Sequence, residues 1–160
     1  ARDPSSADAM LERAHQAAEQ ALAELRTVVR GILPPVLADR GLAGALAGLA
    51  SDCGVDCTVD VDVPGRCAAS VEATTYFVVA EALTNIAKHS RARHAMVTVR
   101  RRGQELSLRI EDDGVGGVDE DEGSGIIGIR RRVEAHDGRL VLTSPPGGPT
   151  TLQVELPCGL

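Results

Sequence analysis

The chain has 160 residues, of which 43% are hydrophobic and 25% charged, as expected for a globular protein with one domain and a short appendage. Its net charge of -6 argues against a polyanionic partner, and its single Tyr and single Phe offer almost no surface for stacking bases. We therefore expect no nucleic-acid partner.

The chain shows no signal peptide and no apolar run long enough to cross a bilayer, so we expect a cytoplasmic domain. Its four cysteines do not follow a zinc-finger or zinc-ribbon spacing. We expect reduced, partly buried thiols in preference to a metal site. These cysteines are Cys53, Cys57, Cys67 and Cys158.

An alanine-rich, heptad-like apolar stripe predicts a first helix that starts after Pro4 and ends near Gly31, before Pro34-Pro35. The scarcity of bulky residues favours a helix that packs on a partner helix. The alternative is an ordinary amphipathic helix on its own domain. His15 on this helix is interpreted as a surface residue, because no acidic residue follows it.

The next segments are a connector at Leu37–Gly41 and a short helix with Leu42, Leu46 and Leu49. Alternation over Val55–Val63 predicts a strand with one polar face.

The central helix is predicted from about Ser70 to His89, with Ser70 as its cap and Glu72 as a first-turn acid. An apolar stripe repeats at four- and three-residue spacing: Val79, Leu83 and Ile86. The opposite face bears four polar residues: Glu81, Asn85, Lys88 and His89. The alternative to a functional site here is a solvated helix face.

The remaining chain alternates between strands, turns and one more helix. Four strands are predicted at Ala95–Arg101, Glu105–Glu111, Arg139–Thr143 and Thr151–Leu156, with a helix from Ile126 to Ala135. This order predicts an α+β fold: a mixed sheet of about five strands, covered on one face by helices.

Three clusters have a physical use if the ligand is a purine nucleotide with magnesium. The amide oxygen of Asn85 suits Mg²⁺, and Lys88 and His89 can neutralise phosphate. Asp112 ends a strand, where its carboxylate can accept from an adenine amino group.

Two glycine pairs follow Asp112. Gly114 and Gly116 allow close backbone approach, and Gly123 and Gly125 precede a helix N-terminus that favours phosphate. The alternative is that D-D-G is only a loop. P-loop and Rossmann patterns are absent from the sequence.

These motifs resemble a known ATPase superfamily that includes gyrase, Hsp90, MutL and histidine kinases. E-A-L-T-N-I-A-K-H-S is similar to its N box, and D-D-G-V-G-G and G-S-G-I-I-G-I-R-R-R-V to its two glycine boxes. The pair Lys88-His89 narrows the resemblance to sensor histidine kinases of the nitrate-sensor and desaturase-sensor type. Leu22–Leu42 resembles their second dimerisation helix and its exit, and S-P-P-G-G-P-T-T-L their closing hairpin.

The resemblance implies a two-layer α/β sandwich of the Bergerat type that binds ATP and Mg²⁺. It implies that residues 1–38 are the remnant of the second dimerisation helix and its linker, and that residues 39–160 are the catalytic domain. Asn85 would hold Mg²⁺, Asp112 would bind the adenine amino group and Thr150 would lie near the adenine. Gly114, Gly116, Gly123 and Gly125 would shape the phosphate path, and Glu81 would be a general base.

The resemblance also implies partners. The γ-phosphoryl group of ATP would pass to a histidine on a dimerisation helix, then to a response regulator, within a homodimer whose full-length form can be membrane-attached. In the family, the phospho-accepting histidine, followed by Asp, belongs on a first dimerisation helix; the sequence shows no such helix, so we do not expect this fragment to label itself. The alternatives are an anti-sigma-type serine kinase of the same fold and a nucleotide-binding interaction module without catalysis.

The sequence departs from the family pattern at a few positions. Arg131 replaces a usual acidic residue and Pro149 a usual glycine, and His136-Asp137-Gly138 has fewer glycines than expected. These departures affect the details of the predicted lid, Val118–Ser124, and not the predicted fold.

Overall fold

The computed structural model describes residues 35–119 and 124–159, which belong to one compact unit, Pro34–Leu160. The predicted first helix, including His15, lies outside the described residues, as does Gly123.

The described residues form three α-helices and five strands. The helices are α1 (Pro35–Ser51), α2 (Ala69–Asn85) and α3 (Ser124–Glu134), and a π-helical turn at Ile86–Ser90 continues α2. The strands are β1 (Asp56–Asp62), β2 (His94–Arg102), β3 (Glu105–Asp112), β4 (Arg139–Thr143) and β5 (Thr150–Pro157).

The five strands form one mixed sheet in the order β1-β2-β3-β5-β4. β1 runs parallel to β2, and the other neighbouring pairs are antiparallel. Residues alternate across the sheet, so that Val97, Leu108 and Val154 are buried while Arg109 and Gln153 face solvent. The predicted α+β fold, with helices on one face of a five-stranded sheet, is confirmed.

The core consists of aliphatic side chains from both layers. The apolar stripe predicted on the central helix is buried, with Val79, Leu83 and Ile86 all in the core. Burial of this stripe holds α2 against the sheet and leaves the face bearing Glu81 and Asn85 partly exposed.

The predicted connector Leu37–Gly41 is wrong, because helix α1 begins at Pro35. Leu37 is fully buried, which gives the first turn an anchor in the core. The break occurs inside the helix at Gly41, whose φ of 63° and ψ of -173° are not helical.

Ser70 is not the helix cap that the sequence predicted. The N-cap is Ala68, which makes no side-chain capping bond. Glu72 is buried instead, and it accepts hydrogen bonds from Cys67 N at 3.1 Å and from Arg66 Nη2 at 2.7 Å. The same Arg66 Nη2 donates to the carbonyl of Leu37 at 3.0 Å, which links α1 to the start of α2.

The expectation of four reduced thiols is also wrong. Cys67, just before α2, and Cys158, just after β5, form a disulfide, while Cys53 and Cys57 are free. The two bonded cysteines are 91 residues apart in the sequence, and only the folded sheet brings them together. None of the helices in the described residues is both long and apolar enough to cross a membrane.

Candidate functional site

The first part of the candidate site is the meeting point of α2 and α3. Glu81 and Asn85 lie one helical turn apart on α2 and are both partly buried. Gly125, in the first turn of α3, lies directly against them. A Cβ atom at Gly125 would be 2.8 Å from Glu81 Oε1 and 3.2 Å from Asn85 Nδ2. The sequence therefore needs a glycine here, where the N box and the second glycine box meet.

Lys88 and His89 lie on the π-helical turn, not on a continuing α-helix as predicted. The wider turn ends at Arg91, which has a left-handed φ of 55°. Both predicted phosphate-binding side chains are exposed, so they are accessible to a ligand. Of the four residues predicted to share one α-helical face, only Glu81 and Asn85 lie on the α-helix itself.

The second part of the site is the end of β3. Asp112 is its last residue and is only 6% exposed. Its Oδ1 accepts a hydrogen bond from Gly114 N at 2.8 Å. Burial raises the pKa of the Asp112 carboxyl, although the Gly114 bond partly opposes the shift. In the sheet, Asp112 pairs with Thr150 at the start of β5.

Gly114 connects the two parts of the site. A Cβ atom at this position would be 2.4 Å from the carbonyl oxygen of Ser90, the last residue of the π-helical turn. The same carbonyl accepts a hydrogen bond from Val115 N at 2.9 Å. The first glycine box is thereby held against the end of the N-box helix. Sequence analysis did not single out Ser90, although it ends the matched N-box segment.

Asp113 has a structural role that the sequence did not indicate. Its Oδ1 accepts hydrogen bonds from Arg93 N at 2.8 Å and His94 N at 2.9 Å, at the start of β2. These bonds, of which the one from His94 has the larger effect, lower the pKa of the Asp113 carboxyl. The adjacent carboxylates thus differ: Asp112 is buried in the site, and Asp113 holds the loop to β2.

Gly116 lies in close contact with the β4–β5 connection. Its φ is 57°, and a Cβ atom would be 2.1 Å from the carbonyl oxygen of Pro145 and 2.5 Å from that of Gly148. Hydrogen bonds between the two loops run from Gly117 N to Ser144 O at 3.0 Å and from Gly147 N to Val115 O at 2.7 Å. The predicted need for glycine follows from this packing of loop against loop.

Thr150 makes a contact that sequence analysis missed. Its Oγ1 lies 2.9 Å from Ser144 Oγ, which also accepts from Val118 N at 3.1 Å. The only signal in the sequence is a small polar residue between a strand and Pro145-Pro146, which alone would indicate no more than a turn.

The basic run on α3 contributes a contact to α2. The guanidinium carbon of Arg132 lies 5.3 Å from the centroid of the Phe77 ring, and that ring packs edge-on against Tyr76. Both aromatic residues of the chain therefore lie on one helix, beside the contact between α2 and α3.

A family model matches this arrangement. Residues 70–160 match the model described as histidine kinase-, DNA gyrase B-, and HSP90-like ATPase. The matched segment contains all the candidate site residues.

Curated relatives extend the match towards the N-terminus. The chain is 29% identical to the signal transduction histidine-protein kinase/phosphatase DegS of Brevibacillus brevis, over 87% of this chain and 38% of that protein. It is 31% identical to a sensor-like histidine kinase of Chloroflexus aurantiacus, over 98% of this chain and 29% of that protein. The chain thus spans about a third of the length of these relatives.

Solved structures show the same fold. The histidine kinase AdeS of Acinetobacter baumannii superposes with a TM-score of 0.62 at 16% identity, covering 100% of this chain and 87% of that chain. The histidine kinase domain of a blue-light activated histidine kinase from Erythrobacter litoralis gives 0.58 at 22% identity, covering 74% and 59%.

Proposed function

Because the chain belongs to the family of histidine kinase-, DNA gyrase B- and HSP90-like ATPases, we propose that it acts as the catalytic ATP-binding part of a two-component sensor histidine kinase. The observation that carries the proposal is the convergence of three separate motifs. Gly125 lies against Glu81 and Asn85, and Gly114 lies against the end of the same helix. The names of the relatives favour this function over a serine kinase or a non-catalytic module.

Asp112 is proposed to select adenine. Its Oδ1 is already used by Gly114 N, so Oδ2 can accept from the exocyclic amino group of the base. Thr150, its partner in the sheet, places a hydroxyl group at the same end of the site. Gly114 and Gly116 are proposed to let the neighbouring backbone pass close to the adenine base.

Asn85 is proposed to hold Mg²⁺. Its amide oxygen is a hard oxygen donor of the kind that this ion prefers. No group of three or more His, Cys, Asp or Glu side chains that could hold a metal occurs in the described part of the chain. Phosphate oxygens and water would therefore supply most of the ligands. When bound, Mg²⁺ supplies charge neutralisation at the phosphates.

The phosphate groups are proposed to lie at the start of α3, with Gly123 and Gly125 on their path. The first turn of this helix presents backbone N–H groups, which favour an anion. Lys88 and His89, both exposed, add positive or hydrogen-bonding groups. Glu81, beside Asn85, is the candidate general base for the incoming acceptor.

The proposed acceptor lies outside this chain: a histidine on a dimerisation helix, followed by a response regulator, in a homodimer. The proposed division of the chain is residues 1–38 as the end of the dimerisation region and residues 39–160 as the catalytic domain. The bond between the γ-phosphorus and ADP would break as a bond to the acceptor histidine nitrogen forms. The catalytic domain itself would form no covalent bond to the phosphoryl group, so transfer would depend on holding the acceptor in line about 3 Å from phosphorus.

The test combines binding with transfer. Calorimetric titration with ATP should show binding that strengthens when Mg²⁺ is added, and Asn85→Ala should remove the Mg²⁺ effect more than the binding itself. With γ-labelled ATP, an added helical segment bearing a His-Asp pair should gain acid-labile label while this chain does not. Equal ATP affinity with and without Mg²⁺ would contradict the role of Asn85. Label on this chain alone would contradict the proposed acceptor.

A further inference from the structure

Ser144 lies at the point where β4 ends and contacts two parts of the site at once. Its Oγ is 2.9 Å from Thr150 Oγ1 and accepts from Val118 N at 3.1 Å. Its carbonyl oxygen accepts from Gly117 N at 3.0 Å. The contact between the Ser144 and Thr150 hydroxyl groups is partly buried, so water competes with it less than it would at an exposed site. The bond from Val118 N is exposed.

The hydrogen-bonding capacity of a serine explains what this arrangement does. A hydroxyl has one proton and two lone pairs. The bond from Val118 N uses one lone pair, and the contact with Thr150 uses the proton or the other lone pair. Since Thr150 is β-branched, the contact also selects the side-chain rotamer that turns its hydroxyl, and not its methyl group, towards Ser144.

The two partners of Ser144, Val118 and Thr150, lie at different places in the candidate site. The glycine loop, residues 112–118, starts at Asp112 and ends at Val118. Ser144 holds the far end of this loop, and it also holds Thr150, which pairs with Asp112 in the sheet. One side chain therefore fixes both the hydroxyl beside Asp112 and the loop that begins there.

We propose that Ser144 is a positioning residue that ties the glycine loop to Thr150 and thereby sets adenine selectivity. This rests on the proposed function, because selectivity requires that the chain bind ATP at Asp112. Without the Ser144 hydroxyl, Thr150 is free to rotate and the Val118 end of the loop loses its anchor.

The experiment compares ATP and GTP affinity, by competition for the same site, in a small set of variants. Ser144→Ala should lower ATP affinity about five- to tenfold, as expected for the loss of a partly buried hydrogen-bonding group, and should narrow the preference for ATP over GTP. Ser144→Thr keeps the hydroxyl, so it should retain most of the ATP affinity and most of the preference for ATP over GTP. Ser107→Ala is the matched control: this serine is also partly buried in the sheet and bonds a backbone carbonyl, that of Arg100.

A double-mutant cycle separates positioning from a general structural effect. Thr150→Val removes the same bond from its other side, so the loss in Ser144→Ala combined with Thr150→Val should be smaller than the sum of the two single losses. The loss that Ser144→Ala still adds in the Thr150→Val background reports the bond from Val118 N. Additive losses, or an equal loss for ATP and GTP in Ser144→Ala, would overturn the proposal. If Ser144→Ala does not fold, Ser144→Cys keeps the size with a weak hydrogen-bonding group and has the same expected result.

The outcomes also separate this inference from the proposed function. Normal ATP binding by the unmutated protein together with an unchanged Ser144→Ala variant would overturn only the inference. Failure of the unmutated protein to bind ATP would overturn both.

Discussion

At the scale of single residues, the buried carboxylate of Asp112 lowers the stability of the fold but favours binding of the ligand. Burial raises the pKa of its carboxyl, so the charged form weakens the fold at any pH above that raised value. The cost declines as pH falls through the raised pKa, because the folded protein then holds the proton. The same burial leaves the carboxylate poorly solvated, so it is ready to accept a hydrogen bond from the amino group of an adenine base.

We therefore expect Asp112→Asn to make the protein more stable at pH 7 and to weaken ATP binding. The Asn oxygen can keep the Gly114 bond, but its amide N–H group then faces the adenine amino group, and two donors meet. Loss of one bond to a charged group corresponds to about 1.5–3 kcal/mol, or roughly ten- to a hundredfold in affinity. Urea unfolding at several pH values and calorimetric titration measure the two effects.

The control for this variant is Asp113→Asn, which changes the neighbouring carboxylate. The Asn oxygen can still accept from Arg93 N and His94 N, so the loop should keep its place. ATP affinity should be nearly unchanged. An equal loss of affinity in both variants would mean that the net charge of the loop, and not Asp112, governs binding.

At the scale of elements, the contact between α2 and α3 depends on Gly125. An added methyl group there would meet the Glu81 carboxylate at 2.8 Å and the Asn85 amide at 3.2 Å, so both side chains must move. We expect Gly125→Ala to weaken Mg²⁺-dependent ATP binding about tenfold or more, because it displaces Asn85, the proposed Mg²⁺ ligand, together with the Glu81 carboxylate beside it. Binding measured without Mg²⁺ should fall less.

Gly128 in the same helix supplies the matched control. A Cβ atom there has no neighbour within 4 Å among the described residues. Gly128→Ala should therefore leave binding unchanged and raise stability by about 0.5–1 kcal/mol, the usual gain from alanine in a helix interior. If both variants weakened binding equally, the flexibility of the helix, and not the contact at Gly125, would be the cause.

The elements also show where sequence reasoning succeeds and where it stops. Alternation predicted the strands and three-four spacing predicted the buried stripe Val79, Leu83 and Ile86, because burial on one face leaves a period in the sequence. The π-helical turn at Ile86–Ser90 leaves no such signal. It is accompanied by bonds that join residues far apart in the chain, such as Val115 N to Ser90 O.

The same limit applies to the site. Asn85 and Asp112 were predicted because their chemistry is evident from residue type and position in an element. Ser144 and Asp113 were not, because each acts only through partners that the fold supplies: Thr150 and Val118 for the first, the start of β2 for the second. Residues that position other residues therefore cannot be identified from a single sequence.

At the scale of the whole molecule, the disulfide joins the start of α2 to the end of β5. Backbone bonds support the junction, from Ala68 N to Gly159 O at 3.1 Å and from Cys158 N to Gln104 O at 2.7 Å. Both cysteines are buried. The closed loop, whose ends are 91 residues apart, contains β2 to β5 and both helices of the candidate site, while β1 lies outside it.

We expect Cys158→Ser to lower the free energy of unfolding by about 2–5 kcal/mol under oxidising conditions, because the cross-link restricts the unfolded chain over a long loop. Under reducing conditions the difference between the variant and the unmutated protein should largely disappear, since both then lack the cross-link.

The control is Cys57→Ser, which changes a free and partly exposed thiol. Its effect on the free energy of unfolding should be the same under oxidising and reducing conditions. ATP affinity should survive in Cys158→Ser below its unfolding transition, because the candidate site residues contact neither cysteine in the bonds described above. A stability difference of equal size with and without reductant would show that Cys158 acts through packing and not through the cross-link.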